Sequence, residues 1–213
     1  MIRKIRFNGC GFAYGYYFGV AQWLKTMKLV TDETKIGACS GGCFAALALR
    51  SKNNILEIGK KHAMNYGHLH FVTKMTSVYT KQRIIMEAFD DLTEGGIDMS
   101  GLSIYTSNIS TGKSVLHENF RDLDHLKTVV VASCAIPLFT SMGVALDGHY
   151  HVDGGLYAPG YNGGLSVSVL ENDDVSPSKD IGISRKFVLG YRSGREFNMD
   201  AFLGSVDIMR RFS

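Results

Sequence analysis

Gly37-Ala38-Cys39-Ser40-Gly41-Gly42, running directly into Cys43-Phe44-Ala45-Ala46-Leu47-Ala48-Leu49, is the stretch that decides the reading of this chain. Small residues crowd one point ahead of a helix-length apolar run, the pattern of a sharp strand-to-helix turn. In such a turn a nucleophile sits on strained backbone and exposes its side chain above a sheet. The helix behind it aims its N–H groups and positive dipole end at the place where an oxyanion would develop. Close packing of a helix on a strand also selects small residues, so this stretch needs company before it implies a function.

Two further segments supply it. Ile5-Arg6-Phe7-Asn8-Gly9-Cys10-Gly11-Phe12 reads as a short strand that ends in glycines and feeds an apolar helix through Val20, Ala21 and Leu24. Glycines there let successive backbone N–H groups point into one cavity, which suits a negatively charged oxygen. Downstream, Gly148-His149-Tyr150-His151-Val152-Asp153-Gly154-Gly155-Leu156 sets a carboxylate at the end of an alternating strand, ahead of two glycines. A carboxylate held there can take a proton from a nearby hydroxyl.

In this order the segments resemble the patatin-like phospholipase family, and within it the branch that includes adipose triglyceride lipase. Asn8-Gly9-Cys10-Gly11-Phe12 matches the oxyanion glycines, Ala38-Cys39-Ser40-Gly41-Gly42 the serine turn, and Val152-Asp153-Gly154-Gly155 the Asp-Gly-Gly motif. Ser133-Cys134-Ala135-Ile136-Pro137 is similar to the family's segment ahead of the aspartate, and Thr111-Gly112-Lys113 to a family hairpin turn. The likeness runs from about residue 3 to about residue 160. It implies an α/β fold, a patatin-like α/β/α sandwich with a central, mostly parallel sheet, and one acyl-hydrolase domain over residues 1–213. It also implies a Ser40–Asp153 dyad acting through an acyl-enzyme, with Gly9, Cys10, Gly11 and Gly41 forming the oxyanion hole, a lipid ester as substrate, and neither cofactor nor metal. Acyl transfer to another lipid and a catalytically inactive lipid-binding protein are the alternatives.

The chain departs from the family pattern at Ala38, where the usual elbow has glycine two residues before its serine, and at Phe12-Ala13-Tyr14-Gly15, where many members carry Arg or Lys. Gly37 and Gly41 bracket Cys39, so glycine spacing alone fits a cysteine nucleophile. Chemistry fits Ser40, because a neighbouring carboxylate raises a thiol's pKa and suppresses its thiolate, whereas an alcohol loses its proton only during attack.

Composition suits one enzyme domain: 213 residues, 45% hydrophobic and 20% charged, are ordinary for a globular chain with a sizeable core. A net charge of +3 is too slight to imply nucleic acid, though compatible with an anionic lipid surface. Cysteines 10, 39, 43 and 134 fall in segments placed near a buried site, and no signal peptide is read ahead of them, which implies a reducing, cytoplasmic setting; the lipid substrate that the resemblance implies adds peripheral contact to a membrane or lipid-droplet surface. Residues 7 to 24 carry no formal charge and contain Gly15-x-x-x-Gly19, yet their glycines and polar groups read as a buried strand, loop and helix rather than a membrane span.

The periodicity predicts strands near 3–8 and 34–38, helices near 14–28 and 41–50, and a helical middle over 54–90. It further predicts strands at Leu102 to Asn108 and Ser114 to His117, a helix from Asp124 to Ala132, and a strand through Tyr150 to Val152. A polar loop over Glu171 to Lys179 and a strand from Phe187 to Tyr191 follow. Thr111-Gly112-Lys113-Ser114 lacks the upstream glycine of a phosphate-binding loop, since Ser107 stands there. His149-x-His151-x-Asp153 has the alternation of metal ligands, with His68 and His70 as a second pair, but reads better as strand residues beside a site. Tyr14, Tyr16, Tyr17 and Phe18 have no basic residues between them and read as core or pocket lining rather than a stacking platform for bases.

Overall fold

The computed structural model describes residues 2–66, 77–157 and 165–167. The backbone of the sheet is parallel: β1 (Lys4–Phe7) lies between β2 (Lys35–Cys39) and β7 (Leu165–Val167), and β2 pairs in turn with β3 (Leu102–Asn108). Antiparallel strands complete it. β4 (Lys113–His117) returns along one edge of β3 through a turn at Gly112, whose φ of 65° suits glycine. β5 (Val144–Leu146) and β6 (His149–Val152) form a hairpin joined to β3 at Ser107 and Asn108. The α/β architecture with a parallel sheet at its centre is the one the sequence implies.

One consequence of these registers governs the site. Tyr105 pairs with Cys39 of β2 and with Leu116 of β4, while Ser107 pairs with Val152 of β6 and with Ser114 of β4. β2 and β6 therefore share the same edge of β3, the one opposite β4. They run in opposite directions along it, so the residues that follow each strand meet near Thr106.

Helices follow from composition and caps. α1 (Tyr14–Thr26) grows out of a 3₁₀ turn over Gly11–Ala13, and α2 (Gly42–Arg50) is an Ala- and Leu-rich helix buried along its whole length. Two cations lie at the end of α2: half-buried Lys25 donates to the carbonyls of Ala48 (3.2 Å) and Ser51 (2.7 Å), and buried Arg50, the last residue of α2, ties it to the segment ahead of β2 by donating to the Thr34 carbonyl (2.5 Å). The helical middle is two helices, α3 (Ile55–Tyr66) and α4 (Val78–Thr93), the latter capped by Ser77, which accepts from the Thr80 amide. α5 (Leu123–Ser133) starts at Asp122, whose carboxylate accepts from the His125 amide at 2.7 Å.

Ile5, Phe7, Ile36, Ala38, Leu102 and Ile104 present one apolar face of the sheet, and burial of each large side chain contributes about 1.5–3 kcal/mol. Phe7 meets Tyr17 of α1 edge-on at 5.4 Å between centroids. Outside the helical middle the predicted boundaries agree with the observed elements to within two residues; the helical middle, read as ending near residue 90, runs on to Thr93, and β5 and β7 are absent from the sequence reading. β5 owes its existence to Asp147-Gly148, which take φ of 48° and 79° and close a two-residue hairpin. The loop over 171–179, the strand at 187–191 and the pair His68 and His70 lie outside the described residues.

Candidate active site

Ser40 follows the last residue of β2 and precedes the first turn of α2, and its φ of 50° puts a non-glycine residue in the left-handed region. Cys39 is still strand. The turn is tight enough to dictate its neighbours: a Cβ on Gly41 would strike the Gly11 carbonyl and approach Cys10 Sγ to 2.6 Å. One on Gly42 would come within 2.5 Å of the carbonyl oxygens of Phe7 and Asn8. The loop after β1 thus lies directly against the start of α2, and the paired glycines exist for that approach.

That loop also flanks the serine. A Cβ on Gly9 would sit 3.4 Å from Ser40 Cβ and 3.9 Å from its Oγ. Gly11, at φ 52°, turns the chain into the 3₁₀ segment. Gly9, Cys10, Gly11 and Gly41 are accordingly gathered around Ser40, as the sequence motifs suggest.

Asp153 follows β6 and arrives from the other direction. Its amide donates to the Ala135 carbonyl at 2.9 Å, and its Oδ1 accepts from the Gly155 amide at 2.8 Å. Oδ2 is buried and accepts no standard hydrogen bond among the described residues. Burial pushes the carboxyl pKa up, opposed first by the facing Ser40 hydroxyl and then by the Gly155 amide. Serine and acid are thus brought together, with one carboxylate oxygen left open. Cys39 is shifted in the same direction: burial first, then Cys43, pushes its thiol up to about 11, with Arg6 acting the other way.

A pocket of about 20 Å³ opens on Ser40, lined by Gly11, Gly41, Phe44, Ile85, Cys134, Ile136 and Thr140. That is roughly the room one water needs. A larger groove of about 380 Å³ lies at the other end of the sheet, between Lys35, Gly101, Ser103, Glu118 and Phe120. It sits where β2 and β3 begin, whereas ligands of such sheets bind beyond the strands' carboxyl ends. Its Ser103 hydroxyl, moreover, is engaged with Glu118 at 3.0 Å.

The histidines take a different place from Ser40 and Asp153. Thr106 Oγ1 lies 2.8 Å from His151 Nδ1 and 2.8 Å from His117 Nε2, so the hydroxyl donates to one ring and accepts from the other. Burial, then His151, pushes His117 down to about 4, and burial also lowers His151. His149 is exposed, and among the described residues no three His, Cys, Asp or Glu groups stand close enough to hold a metal. No helix among them is long and apolar enough to cross a membrane, and Gly15 and Gly19 lie within buried α1. Ser133 and Thr106, both wholly buried, are contacts that the motifs leave without a role.

A strained serine between strand and helix, a buried carboxylate facing it and a glycine loop alongside define the class of α/β proteins built on a nucleophile elbow. No family model matches the chain. Curated proteins do: it is 30% identical over 165 residues to patatin-like phospholipase domain-containing protein 2 of Mus musculus, covering 72% of this chain and 33% of that one. The human protein of the same name is 28% identical over 164 residues, covering 72% and 32%. 1-Acylglycerol-3-phosphate O-acyltransferase Pnpla3 of Mus musculus is 26% identical over 167 residues, covering 72% and 39%. Over this matched stretch the chain is similar to the patatin-like phospholipase domain-containing proteins, on the branch of these relatives. It spans about a third of the length of the curated proteins it matches. The crystal structure of VipD from Legionella pneumophila aligns with a TM-score of 0.46 at 14% identity, over 76% of this chain and 48% of that one, and the assignment does not rest on it.

Proposed function

We propose that this chain is a lipid acyl hydrolase that cleaves carboxylic esters of phospholipids or acylglycerols through an acyl-enzyme on Ser40. The observation that carries the reading is the left-handed Ser40 faced by a buried carboxylate with one open oxygen. In this mechanism Asp153 Oδ2 takes the Ser40 proton as Oγ attacks the ester carbonyl, and N–H groups of Gly9, Cys10, Gly11 and Gly41 receive the oxyanion. The tetrahedral intermediate collapses, the leaving alcohol takes the proton from Asp153, and the acyl group stays on Ser40. Water then enters by the same route and gives a proton to Asp153 as its oxygen attacks the acyl carbonyl; the second tetrahedral intermediate collapses with breakage of the bond to Ser40 Oγ, which takes the proton back from Asp153 as the fatty acid leaves. An acid with a raised pKa holds a proton more readily, which favours its role as base.

Surface character supports a lipid substrate. Leu138, Met142 and Leu156 are 81%, 62% and 59% exposed on the segments that lead from the pocket-lining Cys134 and Ile136 and from Asp153. Exposed apolar side chains in such a position suit contact with a lipid aggregate at a membrane or droplet, with the chain otherwise cytoplasmic. The described strands share one sheet and one apolar core, which supports a single domain over 1–213. Acyl transfer to a second lipid is the other reading, motivated by the relative named as an acyltransferase. Neither reading requires cofactor, metal or nucleic acid, and protein partners are left unassigned.

Fluorophosphonate labelling with peptide mapping tests the proposal. Label on Ser40, together with turnover of a short-chain chromogenic ester that Ser40→Ala abolishes, is the expected result. A chain that neither labels nor turns over is an inactive lipid-binding protein. Adding a lysophospholipid acceptor separates transfer from hydrolysis through the product formed.

A further inference from the structure

Ser133 opens the Ser133-Cys134-Ala135-Ile136-Pro137 segment, which the proposed chemistry leaves without a task. It is the last residue of α5 and is wholly buried. Its hydroxyl accepts from the Ser40 amide at 2.9 Å and donates to the Tyr105 carbonyl at 2.6 Å, and the Cys43 thiol points at the same oxygen from 3.5 Å. Its main-chain carbonyl accepts from the Gly154 amide at 3.1 Å.

The reason for this arrangement lies in the ladder. Cys39 is the last β2 residue in register with β3, opposite Tyr105, and at Ser40 the backbone swings into the left-handed turn. A buried amide on the turn and a buried carbonyl on β3 each need a partner at the point where regular pairing stops. A hydroxyl, being donor and acceptor at once, satisfies both. The room around it is filled: a Cβ on Gly154 would strike the Tyr105 carbonyl and come within 3.0 Å of Ser133 Oγ, which accounts for the first glycine after Asp153.

We propose that Ser133 is a positioning residue that fixes the serine and the acid relative to each other, its hydroxyl holding the backbone of Ser40 and its carbonyl holding that of Gly154, next to Asp153. The inference rests on Ser40 as nucleophile. It also explains why the oxyanion donors come from the glycine loop and Gly41: the amide of Ser40 itself is already engaged.

Steady-state kinetics on a short-chain ester, the rate of fluorophosphonate labelling and thermal melting of Ser133→Ala, Ser133→Thr and Ser133→Cys test it. Displacing a reacting group by an ångström costs about 10²-fold, so Ser133→Ala loses kcat by that order while KM stays near the parent value, and labelling slows in proportion. Ser133→Thr keeps the hydroxyl and recovers most of the rate, and Ser133→Cys, with a weaker and longer donor, falls between. Thr93→Val is the comparator. It deletes a buried hydroxyl bond to the Phe89 carbonyl (2.9 Å) in α4, and lowers melting temperature without lowering kcat. If Ser133→Ala does not fold, the ordering of Thr above Cys in kcat carries the test. The inference falls if the folded Ala variant keeps the parent's kcat, or if Thr and Cys variants are indistinguishable from the parent. A parent chain that takes no label and turns over no ester overturns the Ser40 reading and this inference with it.

Discussion

The two strands that end at the candidate site are built in opposite ways. β2 lies with β1 and β3 in a region where Ile5, Phe7, Ile36, Ala38 and Ile104 are wholly buried apolar side chains. β6 arrives with β5 and meets the sheet through Thr106, His117 and His151, polar groups joined by hydrogen bonds. Apolar packing carries no charge to titrate, whereas an imidazole held neutral by burial does. The strand that leads to Ser40 is therefore packed by contacts indifferent to proton concentration, and the strand that leads to Asp153 by contacts that depend on it.

The largest test of that contrast removes the acid and leaves its strand alone. Asp153→Asn preserves shape, and general-base catalysis contributes about 10²–10⁴-fold, so ester turnover drops by that order while the melting curve stays close to the parent's. Activity near the parental level would remove Asp153 from the mechanism and reopen the histidines.

Acidification gives the next effect, and it acts on the hairpin. His117, pushed to about 4, and His151, also lowered, bind protons less readily folded than unfolded, so the unfolded chain takes up more protons as pH falls from about 6.5 towards 4. Stability contributed by keeping these rings neutral is present above that window and lost through it. The groups around them are His125 on α5, Asp147 and His149 on the hairpin, and Arg121, which pairs with Asp147 at 3.0 Å. Asp153, with its raised pKa, works in the other direction, gaining stability as it protonates, but it is one carboxyl against two rings. Thermal melts at pH 7 and pH 4.5 are expected to show a fall that His117→Gln reduces. An unchanged fall in that variant would place the acid sensitivity elsewhere.

The smallest effect belongs to the parallel region. Cys39→Ala keeps most of the turnover and all of the fluorophosphonate labelling, because a thiol pushed up to about 11 offers no thiolate at neutral pH. Label mapped to Cys39, with loss of activity on thiol alkylation, would reverse the assignment of the nucleophile.

The legible part of this molecule was local. Elbow, glycine loop and Asp-Gly-Gly turn each declare themselves in a few consecutive residues, because crowding around Gly41, Gly42 and Gly154 leaves no alternative to glycine. The alternation that suggested His149, His151 and Asp153 as one set holds along the strand, but the partner of His151 is Thr106, 45 positions away, and nothing near either residue announces it. Ser133 is the same case at a separation of 93. β5 is three residues long, too short for a periodicity, and only Asp147-Gly148 marks it. The approach of β2 and β6 along one edge of β3 is a property of registers that appear only when the sheet is assembled.

That approach has a consequence for the chain while it is being made. The first strands, α1 and α2 are built from neighbouring sequence and form early, whereas the hairpin that brings Asp153 comes much later and must close a long loop to dock. Until it does, the serine turn lacks the carboxylate that the proposed mechanism uses to accept its proton. On the proposed chemistry a half-made chain can thus collapse, misdock or meet lipid in the crowded surroundings of its synthesis without hydrolysing anything, and competence waits for this hairpin to lock onto β3.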